Sequence, residues 1–92
     1  MDVRRPIPIT FYTKPGCHLC DDVADHLEEL AARWPLHLTV VDITSSLELH
    51  RLYWDKIPVV VVGLRTLAAP IGYVALAQAV ANVGRDTESS AC

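Results

Sequence analysis

Residues 11–20 of the chain read FYTKPGCHLC, and they predict a strand, a turn and the start of a helix in succession. Its first residues continue the alternation begun by Ile7 and Ile9, and they predict a β-strand rich in branched and aromatic side chains. Lys-Pro-Gly at 14–16 predicts a turn, and Cys17 then opens a segment of helical periodicity. A Cys-x-x-Cys pair between a strand and the start of a helix is typical of a redox-active dithiol.

The chemistry of the pair follows from its place at a helix N-terminus. The thiolate is the reactive form of cysteine, and a helix N-terminus stabilises an anion through its partial positive charge and its free N–H groups. Cys17 is therefore the predicted nucleophile that attacks a substrate disulfide. Cys20 lies one turn later on the same face, and it is the predicted resolving thiol that releases the substrate and closes the disulfide.

Two close cysteines are also compatible with a metal site. Structural zinc usually takes four ligands, often from two such pairs. Here there is a single pair, and His18 on the same short segment is poorly placed to complete a tetrahedron. We therefore predict no metal ligand and favour a dithiol oxidoreductase. A non-catalytic redox-sensing, interaction or metal-binding module is the alternative.

Composition limits the class of protein further. The 92 residues suit one domain, and with 51% hydrophobic and 21% charged residues the chain can form a dense core. The formal net charge of −3 and the lack of a basic block argue against nucleic-acid and membrane partners. No apolar run approaches the roughly 20 residues of a membrane span. Three cysteines are too few for a disulfide scaffold, and no signal-peptide hydrophobic region follows Arg4 and Arg5, so we expect a cytoplasmic protein. We also expect a monomer.

The rest of the chain completes an α/β order of βαβαββα, with a parallel crossover and a closing hairpin in one mixed four-stranded sheet. Pro8 suggests that the hydrogen-bonded part of the first strand begins near Ile9. Residues 1–83 form the predicted domain, and the polar residues 84–92 are expected to be a disordered tail. The other predicted elements are a helix from Cys17 to Trp34, a strand at 36–41, a short helix with Ser45 as N-cap and Glu48 completing a capping box, strands at Val59–Val62 and 64–69, and a helix from Tyr73 to Val83.

The segment Phe11 to Cys20 resembles the active-site strand and turn of glutaredoxins. Cys-His-Leu-Cys followed by Asp, with the later Val-Asp-Ile and Ile-Pro-Val segments, is similar to the bacterial glutaredoxin-like proteins of the thioredoxin superfamily. The resemblance covers residues 7–83 and implies a thioredoxin-like fold and thiol–disulfide electron transfer. It also implies that Pro58 follows a cis peptide bond and faces the active cysteine, which leaves the backbone of Ile57 free to pair with an extended substrate. The alternative is a trans proline that starts an edge strand.

Two residues beside the cysteines are candidates for tuning or substrate binding. Lys14 matches the basic residue that meets one glutathione carboxylate in glutaredoxins, although a lysine in a turn is usually only solvated. A protonated His18 would favour the Cys17 thiolate, and the alternative is an exposed residue of the first helical turn.

Glutathione is the candidate reductant, and no resident cofactor is expected. Two departures from the glutaredoxin pattern weigh against glutathione binding. Ile71-Gly72-Tyr73-Val74 stands where glutaredoxins have a Gly-Gly-x-Asp-like turn, and Leu19 stands where an aromatic residue often precedes the second cysteine.

Overall fold

Hydrophobic alternation in four segments produces one mixed sheet. The computed structural model describes residues 6–89, with side chains as far as Arg85. The elements are β1 (Ile7–Thr13), α1 (His18–Ala31), β2 (Leu36–Asp42), a 3₁₀ turn (Ile43–Ser45), α2 (Leu47–Tyr53), β3 (Val59–Val62), β4 (Arg65–Ala68) and α3 (Tyr73–Ser89).

The strand order β2-β1-β3-β4 places β1 at the centre of the sheet. β2 runs parallel to β1, from Ile7 opposite Leu36 to Thr13 opposite Asp42. β3 is antiparallel to β1, and β4 is antiparallel to β3. The predicted α/β class, the element order and the mixed four-stranded sheet of a thioredoxin-like fold are confirmed.

The core lies between one face of the sheet and two helices. Alternate residues of a strand point to the same face, so Ile7, Ile9 and Phe11 meet α1 and α3 together. The helical residues buried against them recur at spacings of three and four, as an amphipathic face requires. They are Cys20, Val23, Leu27 and Leu30 from α1, and Leu76, Ala79 and Val80 from α3.

The β2 edge of the same face is left open. Leu38 and Val40 pair with Ile9 and Phe11, so their side chains share the core face. They are nevertheless 44% and 57% exposed, because the buried cluster forms over β1 and β3.

Strand β1 begins earlier than the sequence suggests. The predicted start near Ile9 is wrong, since the Ile7 amide already donates to the Pro35 carbonyl at 2.7 Å. Pro8 is tolerated because β3 pairs with β1 only from Ile9 onward, and Pro8 uses its carbonyl alone, accepting from the Gly63 amide at 3.0 Å.

Helix α2 begins one residue later than predicted. Its N-cap is Ser46, whose hydroxyl oxygen accepts a hydrogen bond from the Leu49 amide at 3.3 Å. Ser45 ends the preceding 3₁₀ turn, and its hydroxyl donates to the Asp42 carbonyl at 2.6 Å. The expected cap at Ser45 is therefore wrong by one position, because the 3₁₀ turn already uses that side chain.

Asp42 caps the 3₁₀ turn and gives the fold a pH-dependent contribution. Its Oδ1 accepts from the Thr44 hydroxyl at 2.6 Å and from the Thr44 amide at 2.8 Å, and these bonds lower the pKa of the carboxyl below its ordinary 3.8. Because the pKa of Asp42 is lower in the folded than in the unfolded chain, its ionised carboxylate stabilises the fold at pH values above the unfolded-state pKa. This stabilisation is lost as the pH falls through the folded-state pKa.

We expect Asp42→Asn to reduce the loss of stability on acidification, because the asparagine cannot be protonated in this range. The measurement is the free energy of urea unfolding at neutral pH and below pH about 3 for both proteins. An equal fall in the two proteins would contradict this assignment.

Both long helices end at positions other than those predicted. α1 ends at Ala31, three residues before Trp34. α3 was expected to end at Val83 with a disordered tail after it, but the helix continues to Ser89. Gly84 is buried within α3, and a Cβ there would lie 2.6 Å from Trp34 Cε3. This glycine therefore allows close approach of the Trp34 ring and does not stop the helix; residues 90–92 lie outside the described part.

Candidate active site

The cysteine pair lies at the junction of β1 and α1. Gly16 has φ of +78°, which favours glycine, and turns the chain directly before the first cysteine. Cys17 is the N-cap of α1 with extended backbone, and Cys20 lies in the first turn. A disulfide joins them, with their Cα atoms 5.2 Å apart. The predicted partners are therefore paired in the structure.

Backbone groups favour negative charge on the Cys17 sulfur. The Cys20 amide donates to Cys17 Sγ over 3.2 Å, so the sulfur takes the place of an N-cap oxygen. The Asp21 amide donates to the Cys17 carbonyl at 3.2 Å and starts the helical hydrogen bonds. Together with the helix dipole, this arrangement stabilises a thiolate at Cys17 once the disulfide is reduced.

Solvent access distinguishes the two cysteines. Cys17 is half-buried at the surface of the core, whereas Cys20 is only 3% exposed and packs among core residues such as Val23. A large substrate can approach Cys17 but is sterically excluded from Cys20. The geometry suits attack at Cys17 followed by internal resolution by Cys20.

Pro58 is buried and follows a cis peptide bond from Ile57. The Ile57 amide donates to the Tyr53 carbonyl at 3.1 Å. The expectation that the backbone of Ile57 is free for substrate is thus wrong for its amide. The chain before Pro58 turns back onto α2, and that turn occupies this donor.

An aromatic pair holds α2 against the sheet near this segment. Tyr12 stacks on Tyr53 with ring centroids 4.5 Å apart, on the sheet face opposite Phe11. Burial, with Tyr53 close by, raises the pKa of the Tyr12 phenol. The stack fixes the end of α2, whose Tyr53 carbonyl holds Ile57.

Lys14 precedes the cysteine pair and His18 lies between the two cysteines in sequence, and both side chains are exposed. Lys14 lies in the turn after β1, and His18 is the first residue of α1. His18 is next to Cys17 because the two residues are adjacent in sequence. Both side chains reach solvent, where they can meet an incoming substrate.

A groove of about 300 Å³ lies against the face of α1 that begins at Leu19, between the two cysteines in sequence. Leu19, next to Cys20 in the chain, lies on one side of it, and Pro58 and Ile71 lie on the others. The groove brings Pro58 together with residues of α1. The full lining is Leu19, Asp22, Val23, His26, Pro58, Ala69, Pro70, Ile71 and Gly72.

Several of these groove residues were missed from sequence. One of them is His26, which is half-buried and meets the Tyr73 ring edge-on, with ring centroids 5.4 Å apart. The signal was present in α1, because residues 19, 22, 23 and 26 recur at the spacing of one helical face. The segment 69–72 carried no comparable signal.

Residues 6–89, the described part of the chain, show neither a metal-binding cluster nor a membrane-spanning helix. Among those residues, no three or more His, Cys, Asp or Glu side chains cluster in a way that could hold a metal ion. Likewise, none of the described helices has the length and apolar character needed to cross a membrane.

Solved structures of other proteins share this fold. The chain is similar to structural genomics target XcR50 from X. campestris at 25% identity, with a TM-score of 0.69 over 80% of this chain and 96% of that one. It is also similar to Ne2328 from Nitrosomonas europaea at 25% identity, with a TM-score of 0.68 over 85% and 95%. A malarial protein at 13% identity, with a TM-score of 0.67 over 85% and 97%, shares the fold.

Comparison with curated proteins gives no match. The model of one protein family, described as the glutaredoxin-like domain (DUF836), matches residues 8–81, a span that contains the dithiol, Pro58 and the groove. The chain therefore belongs to the glutaredoxin-like domain family.

Proposed function

We propose that this protein is a small dithiol–disulfide oxidoreductase, in which Cys17 is the nucleophile and Cys20 the resolving thiol. The observation that carries the proposal is the asymmetry of the pair. Cys17 is half-buried and its Sγ accepts the Cys20 amide, whereas Cys20 is almost completely buried. Family membership supports the same reading.

The reaction proceeds by two exchange steps. The Cys17 thiolate attacks one sulfur of a substrate disulfide, forms a mixed disulfide and releases the other substrate sulfur as a thiolate. The Cys20 thiolate then attacks Cys17 Sγ, closes the protein disulfide and releases the second substrate thiol. Two electrons pass from the protein dithiol to the substrate, and an external thiol reductant restores the dithiol.

The proposed substrate is a disulfide-containing protein or a small disulfide, and glutathione is the candidate external reductant. We place the reaction in the cytoplasm, where thiols are kept reduced, and we propose that a monomer suffices. We propose that Lys14, His18, Ile57 and Pro58 tune or orient the exchange.

The first test is the reduction potential of the Cys17–Cys20 couple. The protein is equilibrated against glutathione redox buffers, its free thiols are trapped, and Cys17→Ser and Cys20→Ser serve as controls. We expect a reversible two-electron couple that both variants lack. Its value will separate reductants near about −270 mV from oxidants near about −120 mV. Thiols that never pair would overturn the proposal and favour a non-catalytic module.

His18 offers a test of electrostatic tuning. An imidazolium next to Cys17 stabilises the thiolate, so His18→Ala is expected to lower the thiolate fraction of Cys17 at a given pH. The thiolate fraction is followed by ultraviolet absorbance during a pH titration of the reduced protein. His50→Ala is the matched control, because His50 is exposed on α2. Coincident titration curves for wild type and His18→Ala would show that His18 does not stabilise the Cys17 thiolate.

A further inference from the structure

The groove beside the dithiol offers mainly carbon surface. Leu19, Pro58 and Ile71 form much of its lining, and none of the nine lining residues is Lys or Arg. Asp22 supplies a carboxylate. Such a surface favours an apolar side chain, because contact removes apolar area from water on both partners.

The charge of the site disfavours specific recognition of glutathione disulfide as the substrate. Glutathione carries two carboxylates and one ammonium group, so its recognition calls for cationic side chains or free N–H donors. Here Asp22 and His26 are the lining residues with ionisable side chains, Asp21 is exposed next to Asp22 in the chain, and Lys14 is absent from the lining. Like charges at these positions oppose binding of a tripeptide with excess carboxylates.

Backbone recognition at this site is also restricted. The Ile57 amide is bound to the Tyr53 carbonyl at 3.1 Å, and the Lys56 carbonyl accepts from the Ala69 amide at 3.3 Å. A substrate strand added here can pair with the Ile57 carbonyl but not with that amide. Side-chain contacts must therefore supply more of the selectivity than strand pairing does.

We propose that the groove binds a large apolar side chain next to the half-cystine of an extended protein segment, and that it selects such segments over glutathione disulfide. The inference rests on the proposed oxidoreductase function. A substrate sulfur bonded to Cys17 keeps its neighbouring residues close to Leu19, where the groove begins. A volume of about 300 Å³ suits single side chains, since it lies at the lower end of ligand pockets.

The test uses mixed disulfides with thionitrobenzoate, whose release is coloured. Two capped peptides differ only in having leucine or serine on both sides of their cysteine, and glutathione is the third carrier. The reduced protein dithiol becomes the disulfide, and each substrate disulfide yields one carrier thiol and one thionitrobenzoate thiol. Every rate is divided by the rate of the same compound with dithiothreitol, which removes differences in intrinsic reactivity.

We expect the wild-type protein to react at least about tenfold faster with the leucine peptide than with the serine peptide or the glutathione compound. Leu19→Ser should lower the leucine-to-serine ratio by about threefold or more. This ratio is independent of any change in Cys17 reactivity. Leu64→Ser is the matched control and should keep the wild-type ratio, because Leu64 is fully exposed in the β3–β4 turn and outside the groove.

Two results would overturn the inference while leaving the proposed function intact. One is equal normalised rates for the three compounds, and the other is a leucine-to-serine ratio that Leu19→Ser does not change. Hydroxyethyl disulfide, which has no side chain to bind, separates these from failure of the proposed function. If the reduced protein does not reduce even this probe, the oxidoreductase proposal fails and the inference fails with it.

Discussion

Cys17→Ser should abolish disulfide reduction, with a loss of roughly three orders of magnitude or more, because no other thiol can take its position at the helix N-terminus. The serine hydroxyl is a far weaker nucleophile at neutral pH than a thiolate. The residual Cys20 is 3% exposed and cannot meet a protein disulfide without local unfolding. The measurement is the rate of reduction of hydroxyethyl disulfide and of a protein disulfide. Cys92, the third cysteine of the chain, is changed to Ser in every protein, so that the parent keeps only the thiols of Cys17 and Cys20 and the variant only that of Cys20.

Cys20→Ser should behave differently from Cys17→Ser. Cys17 remains half-buried at the surface, and the backbone amide of residue 20 still donates a hydrogen bond to its sulfur. The first exchange therefore proceeds, and the mixed disulfide then accumulates. Intact-mass spectrometry after mixing with a peptide disulfide reports this adduct directly. Adducts of equal yield in both variants would contradict the assigned roles, since the assignment depends on unequal access to the two sulfurs.

Gly84→Ala is expected to destabilise the fold by about 1–3 kcal/mol, although alanine is the better helix former. The new Cβ would lie 2.6 Å from Trp34 Cε3 and 3.1 Å from Cη2, so the indole ring or α3 must move. Trp34 packs against the core cluster, which limits how far the ring can retreat. For a domain of this size each kcal/mol corresponds to about 4–8 °C in Tm, measurable by thermal unfolding.

A double-mutant cycle separates the steric clash from helix propensity. In a Trp34→Leu background the ring is absent, so Gly84→Ala should become neutral or stabilising, with a coupling of about 1 kcal/mol or more. Gly72→Ala is the control, because a Cβ there meets nothing within 4 Å. Equal destabilisation by Gly84→Ala with and without Trp34 would show that the close approach of the ring is not the cause.

The features that could be predicted from sequence are those encoded by short, local patterns. The run Val59–Val62 is apolar, β-branched and bounded by Pro58 and Gly63, so its strand was identified to the residue. Cys17 and Cys20 were paired correctly because their separation of one helical turn fixes their distance. The mixed sheet followed from the long helix between β1 and β2 and the short turn between β3 and β4.

The features that were missed depend on contacts between distant parts of the chain. Gly84 follows a periodic segment and a polar tail comes after it, the usual pattern of a helix end. The side chain that packs against Gly84 is the Trp34 ring, and these two residues are far apart in the sequence. The Ile57 amide is hydrogen-bonded because α2 ends at Tyr53, whose carbonyl accepts from it. The groove required Pro58 and Ile71 to meet one face of α1, which only the folded sheet arranges.

The open edge of β2 has a consequence for handling the protein at high concentration. Among the described strands this seven-residue strand pairs with β1 alone; it contains no Lys or Pro, and it leaves Leu38 and Val40 in contact with water. Unpaired strand edges of this kind are templates for another strand, and natural proteins usually blunt them with charge. Aggregation is therefore expected to begin at β2. A lysine at position 38 or 40 would improve solubility at little expense to the core, whereas the same change at Ile9 or Phe11 would unfold it.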